Sequence, residues 1–213
     1  MTVEEGRSAQ KRTVIMAAAT EAFLRNGYPG TSMDEVATRA AVSKQTVYKH
    51  FSDKKSLFAA IVADTVSMVD ERLVAATRAL HGTDDPERDL RALARQLADS
   101  ILQPHVIQFR RMLIAEAERF PEMGRSYWDE GFERGLRTLG AGLAELARAG
   151  HLTVPDPLLA AHQFAGLILW VPVNQMMFCG EDSRLGAADL DRYADQAVRV
   201  FLAAHRPRGD SLR

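Results

Sequence analysis

One cysteine, Cys179, stands among 213 residues, so the chain can close no intrachain disulfide and build no cysteine zinc site. That scarcity agrees with a reducing compartment. Lysine is missing after residue 55, strand-like alternation is missing throughout, and no unit of about 20 to 50 residues repeats. The opening MTVEEGRSAQKR has two acids, no apolar core and no small-residue cleavage site, which argues against a secretory signal and predicts a cytoplasmic protein. The longest apolar run, FAGLILWVPVNQMMFCG (164–180), is shorter than the roughly 20 residues of a membrane span and is interrupted by Pro172, Asn174 and Gln175. It reads as a buried helix, with no membrane partner. Catalytic patterns are missing too. The six histidines never occur as HxxxH, no Glu precedes one by three, and no GxSxG, P-loop or GxGxxG is present. No enzyme, metal or cofactor is expected from these residues.

What is present is unevenly spread. Formal net charge is −1, yet residues 1–60 hold nine Lys and Arg against six Asp and Glu, a local +3, while the rest holds 18 against 22, or −4. All five lysines, Lys11, Lys44, Lys49, Lys54 and Lys55, fall in the first part, four of them within a dozen residues. Apolar residues recur at helical spacing at Val14, Ile15, Ala18, Ala19, Ala22 and Phe23, and Asn26-Gly27 supplies a left-handed stop. Thr31 or Ser32 can cap a second helix, with Asp34 or Glu35 completing a capping box and Met33, Val36, Ala37 and Ala40 facing inward. Ser43 can cap a third helix with Val47, Tyr48 and Phe51 inward, and Ser52 or Asp53 a fourth that runs to about His81-Gly82. That fourth helix is long enough to join two domains.

The second and third helices are separated only by Ala41-Val42-Ser43 and must cross steeply. Outward on the third helix lie Lys44, Gln45, Thr46, Lys49 and His50, all hydrogen-bond donors. This is the arrangement of a helix-turn-helix, whose second helix meets base edges in the major groove. Lys54 and Lys55 then fall where phosphate would meet the next helix. A lysine cluster on a solvated face is the competing reading.

The sequence around these lysines resembles the tetracycline-repressor-like (TetR) family of transcription regulators. The resemblance covers residues 11–58 and rests on Ala22-Phe23, Gly27-Tyr28, Thr31-Ser32, Val36-Ala37, Val42-Ser43, Tyr48, His50-Phe51, Lys54 or Lys55, and Leu57. It implies an all-α fold: an N-terminal three-helix DNA-binding domain (1–55, with a disordered arm over about 1–9), then a larger helical domain (56–206) for effector binding and dimerisation, and a disordered tail (207–213). Carried over residue by residue, it implies phosphate contacts from Thr31, Ser43, Tyr48, His50 and Lys54, and base-edge contacts from Lys44, Gln45, Thr46 and Lys49. Ala41 departs from the family, which has glycine there. The turn must either avoid a left-handed conformation or accept strain.

In the second domain, Phe109, Met112, Leu113 and Glu116 share one helical stripe, placing a carboxylate among apolar neighbours. Its partner is either an arginine of another helix or a ligand. Trp128, Phe132, Phe164, Trp170 and Met177 extend an aromatic and flexible set, with Asn174 a polar residue in an apolar run. Together they point to a small lipophilic effector, with core packing the competing reading for each. Tyr193, Ala197, Val200 and Phe201 form a stripe on the last helix, assigned here to a homodimer interface. The function expected is an effector-released repressor of double-stranded DNA. A constitutive DNA-binding dimer without a pocket and an all-helical enzyme are the rival readings.

Overall fold

A computed structural model of the chain describes residues 3–207, with side chains from residue 6 onward. The described residues form helices and no strands. In order these are α1 (Val3–Gly30), α2 (Met33–Arg39), α3 (Lys44–His50), α4 (Lys54–Arg78), α5 (Pro86–Ile101), α6 (Pro104–Glu116), α7 (Pro121–Ser126), a π-helical turn (Tyr127–Glu133), α8 (Arg134–Arg148), α9 (Pro157–Cys179), a 3-10 turn (Glu181–Ser183) and α10 (Ala187–His205). Helix α1 begins at Val3, within the stretch expected as an arm. Of the expected tail, residues 208–213 lie outside the described residues.

Two compact units divide the chain, and not at residue 55. Of the described residues, the first comprises 3–66 and 108–127, the second 67–107 and 128–207. Helix α4 therefore contributes to both, and most of α6 with all of α7 belongs to the first.

In the first unit, the apolar stripe of α1 (Ile15, Ala19, Ala22, Phe23) packs with Val36 and Ala37 of α2, Val47 of α3 and Leu57, Phe58 and Ile61 of α4. Alanines on α1 and α2 leave little side chain between helices and so permit close approach. Gly27, at φ 71°, ends the regular path of α1, and Pro29, lacking an N–H, cannot continue it. The turn brings Tyr28 back onto the core. Its ring stacks with Phe23 (5.8 Å between centroids) and meets Phe58 and Phe120 edge-on at 5.1 and 5.2 Å.

The second unit is built on α5, α8, α9 and α10 with the C-terminal half of α4, around Leu80, Leu90, Leu93, Leu139, Leu143, Phe164, Ile168 and Phe201. Asp85 and Asp156 cap α5 and α9, each followed by a proline in the first turn, where its missing N–H costs nothing. Gly140 lets α8 meet the start of α9: a Cβ there would lie 2.9 Å from the Pro157 carbonyl oxygen. Phe164 packs edge-on against Phe201, and Gln163 approaches His205, so α9 and α10 run antiparallel. Arg95 bonds Asp191 and Asp195 at 2.7 and 3.2 Å and ties α5 to α10. Helix α9 has 23 residues and a mean hydropathy of 1.2 over its most apolar window, long and apolar enough to cross a membrane by length and composition. The run measured as too short in the sequence is thus part of a longer helix, and Ala160, Ala161, Phe164, Ile168, Val173 and Met176 on it are committed to the core.

Candidate functional site

Helices α2 and α3 are each seven residues long, too short to hold themselves, so their ends must be fixed by local bonds. Ser32 Oγ accepts from the Glu35 amide at 3.2 Å and caps α2. The expected reciprocal half of the capping box is replaced: the Glu35 carboxylate accepts from Asn26 Nδ2 (2.9 Å) and Arg39 Nε (2.9 Å), joining α2 to the end of α1. Arg39, and then Asn26, hold that carboxyl below the usual carboxylate range. At the far end the amide of Ala41 donates to Thr38 O (3.2 Å) and that of Val42 to Ala37 O (3.1 Å). These two bonds define a Schellman stop whose left-handed position is Ala41, at φ 52°. The same motif ends α8, where Gly150 takes the left-handed position at φ 81°. The turn therefore accepts strain rather than avoiding the left-handed conformation.

Ser43 Oγ accepts from the Thr46 amide at 3.1 Å and starts α3. Val47 and Phe51 hold one face of α3 in the core, which leaves the other outward. Ser43, Lys44, Gln45, Tyr48 and Lys49 are exposed there, Tyr48 by 50%. Lys44 Nζ lies 2.5 Å from Asp34 Oδ2 of α2, a solvated pair worth about 0–1 kcal/mol and easily exchanged for another anion. Lys49 has no ion pair among the described residues. Thr46 is half-buried and shares a hydrogen bond with Ser43 Oγ, and half-buried His50 has its ring near Phe51. Arg12 of α1 lays its guanidinium over the other side of this corner, 5.3 Å from the Phe51 ring centroid.

Two residues assigned to phosphate turn inward instead. Thr31 is only 2% exposed, and its hydroxyl donates to Gly27 O at 2.9 Å, closing the turn after α1. Lys54 directs its ammonium to the carbonyls of Tyr28 (2.8 Å), Thr31 (2.9 Å) and Pro29 (3.4 Å), and it lies 4.6 Å from the Tyr28 ring centroid. Burial pulls its pKa below the ordinary lysine value. Lys55 pairs with Glu122 of α7. The Lys54 and Lys55 partners could not be read from spacing, because each joins segments over 20 residues apart, whereas the Thr31 bond to Gly27 lies within one turn.

The residues expected to form one effector site fall in both units. Phe109, Met112 and Leu113 are buried in the first unit, Phe109 against Phe58 at 6.1 Å, and Glu116 is half-buried on the same helix. The others lie in the second unit. Phe164 is fully buried, Met177 is packed at the edge of that core, and Trp128 stacks on Phe132 at 4.6 Å on the exposed π-helical turn. Trp170 is 72% exposed, and Asn174 donates back to its carbonyl at 2.7 Å. The dimer stripe divides similarly. Ala197 and Phe201 face the core of their own unit, whereas Val200 is exposed and Tyr193 half-buried. Leu159, Leu167, Trp170 and Val171 add exposed apolar side chains on α9. The antiparallel register places Val200 level with the Gln163–Leu167 turn.

Comparison with known proteins agrees with this architecture. Residues 15–61 match the family described as bacterial regulatory proteins, tetR family, and residues 88–207 match the C-terminal domain of AefR-like transcriptional repressors. A solved Mesorhizobium loti chain assigned to the TetR-family transcriptional regulators is 42% identical, with a TM-score of 0.90 over 94% of this chain and 99% of that one. The flavonoid-responsive regulator FrrA is 29% identical, with a TM-score of 0.75 over 94% and 100% of the two chains. The transcriptional activator FasR of Mycolicibacterium smegmatis is 37% identical over 92 residues, 43% of this chain and 41% of FasR, so this chain matches less than half of that relative.

Proposed function

The chain belongs to the TetR family of bacterial regulatory proteins, and from that premise we propose that it is an effector-released transcriptional repressor acting as a homodimer on a near-palindromic operator. The observation that carries this reading is the face of α3, where Ser43, Lys44, Gln45, Tyr48 and Lys49 are exposed while Val47 and Phe51 lock the opposite side. Short cationic and amide side chains on a rigid helix suit base edges in a groove about 12 Å wide. Lys44 and Lys49 supply the charge, Gln45 the bidentate amide, and Ser43 and Tyr48 hydroxyls for phosphate. The AefR-like repressor match favours repression over activation.

The exposed apolar side chains of α9 and α10 are assigned to a second copy. Two-fold pairing would cover Leu167, Trp170 and Val200 and place two α3 helices about one DNA turn, roughly 34 Å, apart. Cytoplasmic location accords with a DNA partner. The effector is assigned to the second unit, with Trp128 and Phe132 offering a stacked aromatic surface to a lipophilic molecule. FrrA, a flavonoid-responsive protein of similar fold, supports that ligand class. Release is linkage: an effector that binds better to the DNA-free conformation lowers operator affinity by the ratio of its two affinities. Helix α4 is the natural carrier of that coupling, since it contributes to both units.

Selection of bound sequences from a random duplex pool at two salt concentrations tests the reading. An enriched palindrome surviving the higher salt is expected. Weak binding without enrichment that vanishes as salt rises would contradict it.

A further inference from the structure

Lys54 occupies the first position of a 25-residue helix, where the macrodipole disfavours a cation. A lysine kept there needs strong acceptors. They are supplied by the turn between α1 and α2, whose carbonyls of Tyr28, Pro29 and Thr31 converge on the ammonium at 2.8, 3.4 and 2.9 Å. Three acceptors match the three donors of an ammonium. The Tyr28 ring covers it at 4.6 Å and is itself wedged among Phe23, Phe58 and Phe120. Thr31 closes the turn through Gly27 O, and the next residue, Ser32, caps α2. The only covalent route from α1 to the recognition helix thus passes through a turn that Lys54 pins to α4.

We propose that Lys54 is a positioning residue for DNA recognition, setting the placement of α2 and α3 by gathering the carbonyls of the α1–α2 turn onto the start of α4, and that its charge does not neutralise a DNA phosphate. This rests on the DNA-binding reading above. A phosphate contact and a positioning clamp differ in two measurable ways. Removing a phosphate contact flattens the dependence of log affinity on log salt by about one unit, whereas removing a clamp leaves the slope and lowers specific binding. Arginine keeps the charge and can hold a phosphate, but its planar fork cannot meet three carbonyls converging on one point.

The experiment measures wild type, Lys54→Arg and Lys54→Met against the selected operator and a scrambled duplex over a salt series, well below each melting temperature. The wild type failing to prefer any duplex would overturn the DNA-binding reading, and with it the premise. With that preference established, both variants are expected to lose about tenfold or more in operator-to-scrambled ratio, at wild-type salt slope and with scrambled binding unchanged. Arginine behaving as wild type while Met loses about one unit of slope would overturn the clamp. So would both folded variants retaining the wild-type ratio. If either variant fails to fold, the five lysine ammonium signals of the 15N-labelled wild type decide. An unmoved Lys54 signal on adding operator supports the clamp, and one that moves with that of Lys49 refutes it.

Discussion

At the scale of single residues, what sequence makes legible is what bonds locally. Ser32 and Ser43 cap as their spacing requires, and Asn26-Gly27 stops α1, because each acts on amides or dihedral angles within a few residues. The resemblance implies phosphate contacts for Thr31 and Lys54; in the structure both bond carbonyls instead, Thr31 that of Gly27 within its own turn and Lys54 those of a turn more than 20 residues back. Ala41 is the informative departure. A left-handed Cβ costs roughly 1–2 kcal/mol, and the extra freedom of unfolded glycine offsets roughly 0.4–1 kcal/mol of any gain. Ala41→Gly should therefore raise stability by about 0.5–1 kcal/mol, read as a higher urea midpoint with an unchanged m-value; a lower midpoint would place the strain elsewhere. Lys49→Ala should cost about 1–3 kcal/mol of operator binding if it reads a base, and unchanged affinity in a folded variant would remove it from the interface.

At the scale of elements, helix existence was readable and helix facing only partly so. Helix α10 spans Ala187–His205, and of the stripe that the sequence assigns to a dimer, Ala197 and Phe201 fill the core beside α9. A periodic stripe identifies a buried face without saying what buries it. Leu167, exposed on α9 beside that face, gives the sharper test: Leu167→Asp should yield a monomer mass by light scattering at micromolar protein while wild type gives twice that mass, and a monomeric wild type would contradict the dimer. Helix α4 begins with a reciprocal cap, in which Asp53 Oδ1 accepts from the Ser56 amide at 2.7 Å and Ser56 Oγ accepts from the Asp53 amide at 3.2 Å. The Ser56 amide holds the Asp53 carboxyl below its usual range. Its contribution is therefore present above the unfolded pKa and lost as pH falls through the lower folded value. Asp53→Ala should cost about 1 kcal/mol at neutral pH, with the difference from wild type shrinking below about pH 4.

At the scale of the whole molecule, the all-α class, the helix-turn-helix and the family were legible because they rest on periodicity, caps and a dense local motif. The division into units was not. Residues 108–127 join the first unit through Phe109, Phe120 and Met123, contacts that link segments over 45 residues apart and leave no local trace beyond the break at Phe120-Pro121. The packing of Phe109, Met112 and Leu113 with Phe58 and its neighbours is illegible in sequence for the same reason. The measurement that bears most directly on the account is a footprint of the wild-type chain on its enriched duplex, with the stoichiometry taken on the same sample. Two protected half-sites about one helical turn apart, with two chains per duplex, are predicted. A single protected half-site bound by one chain, or continuous protection without a two-fold pattern, would contradict it.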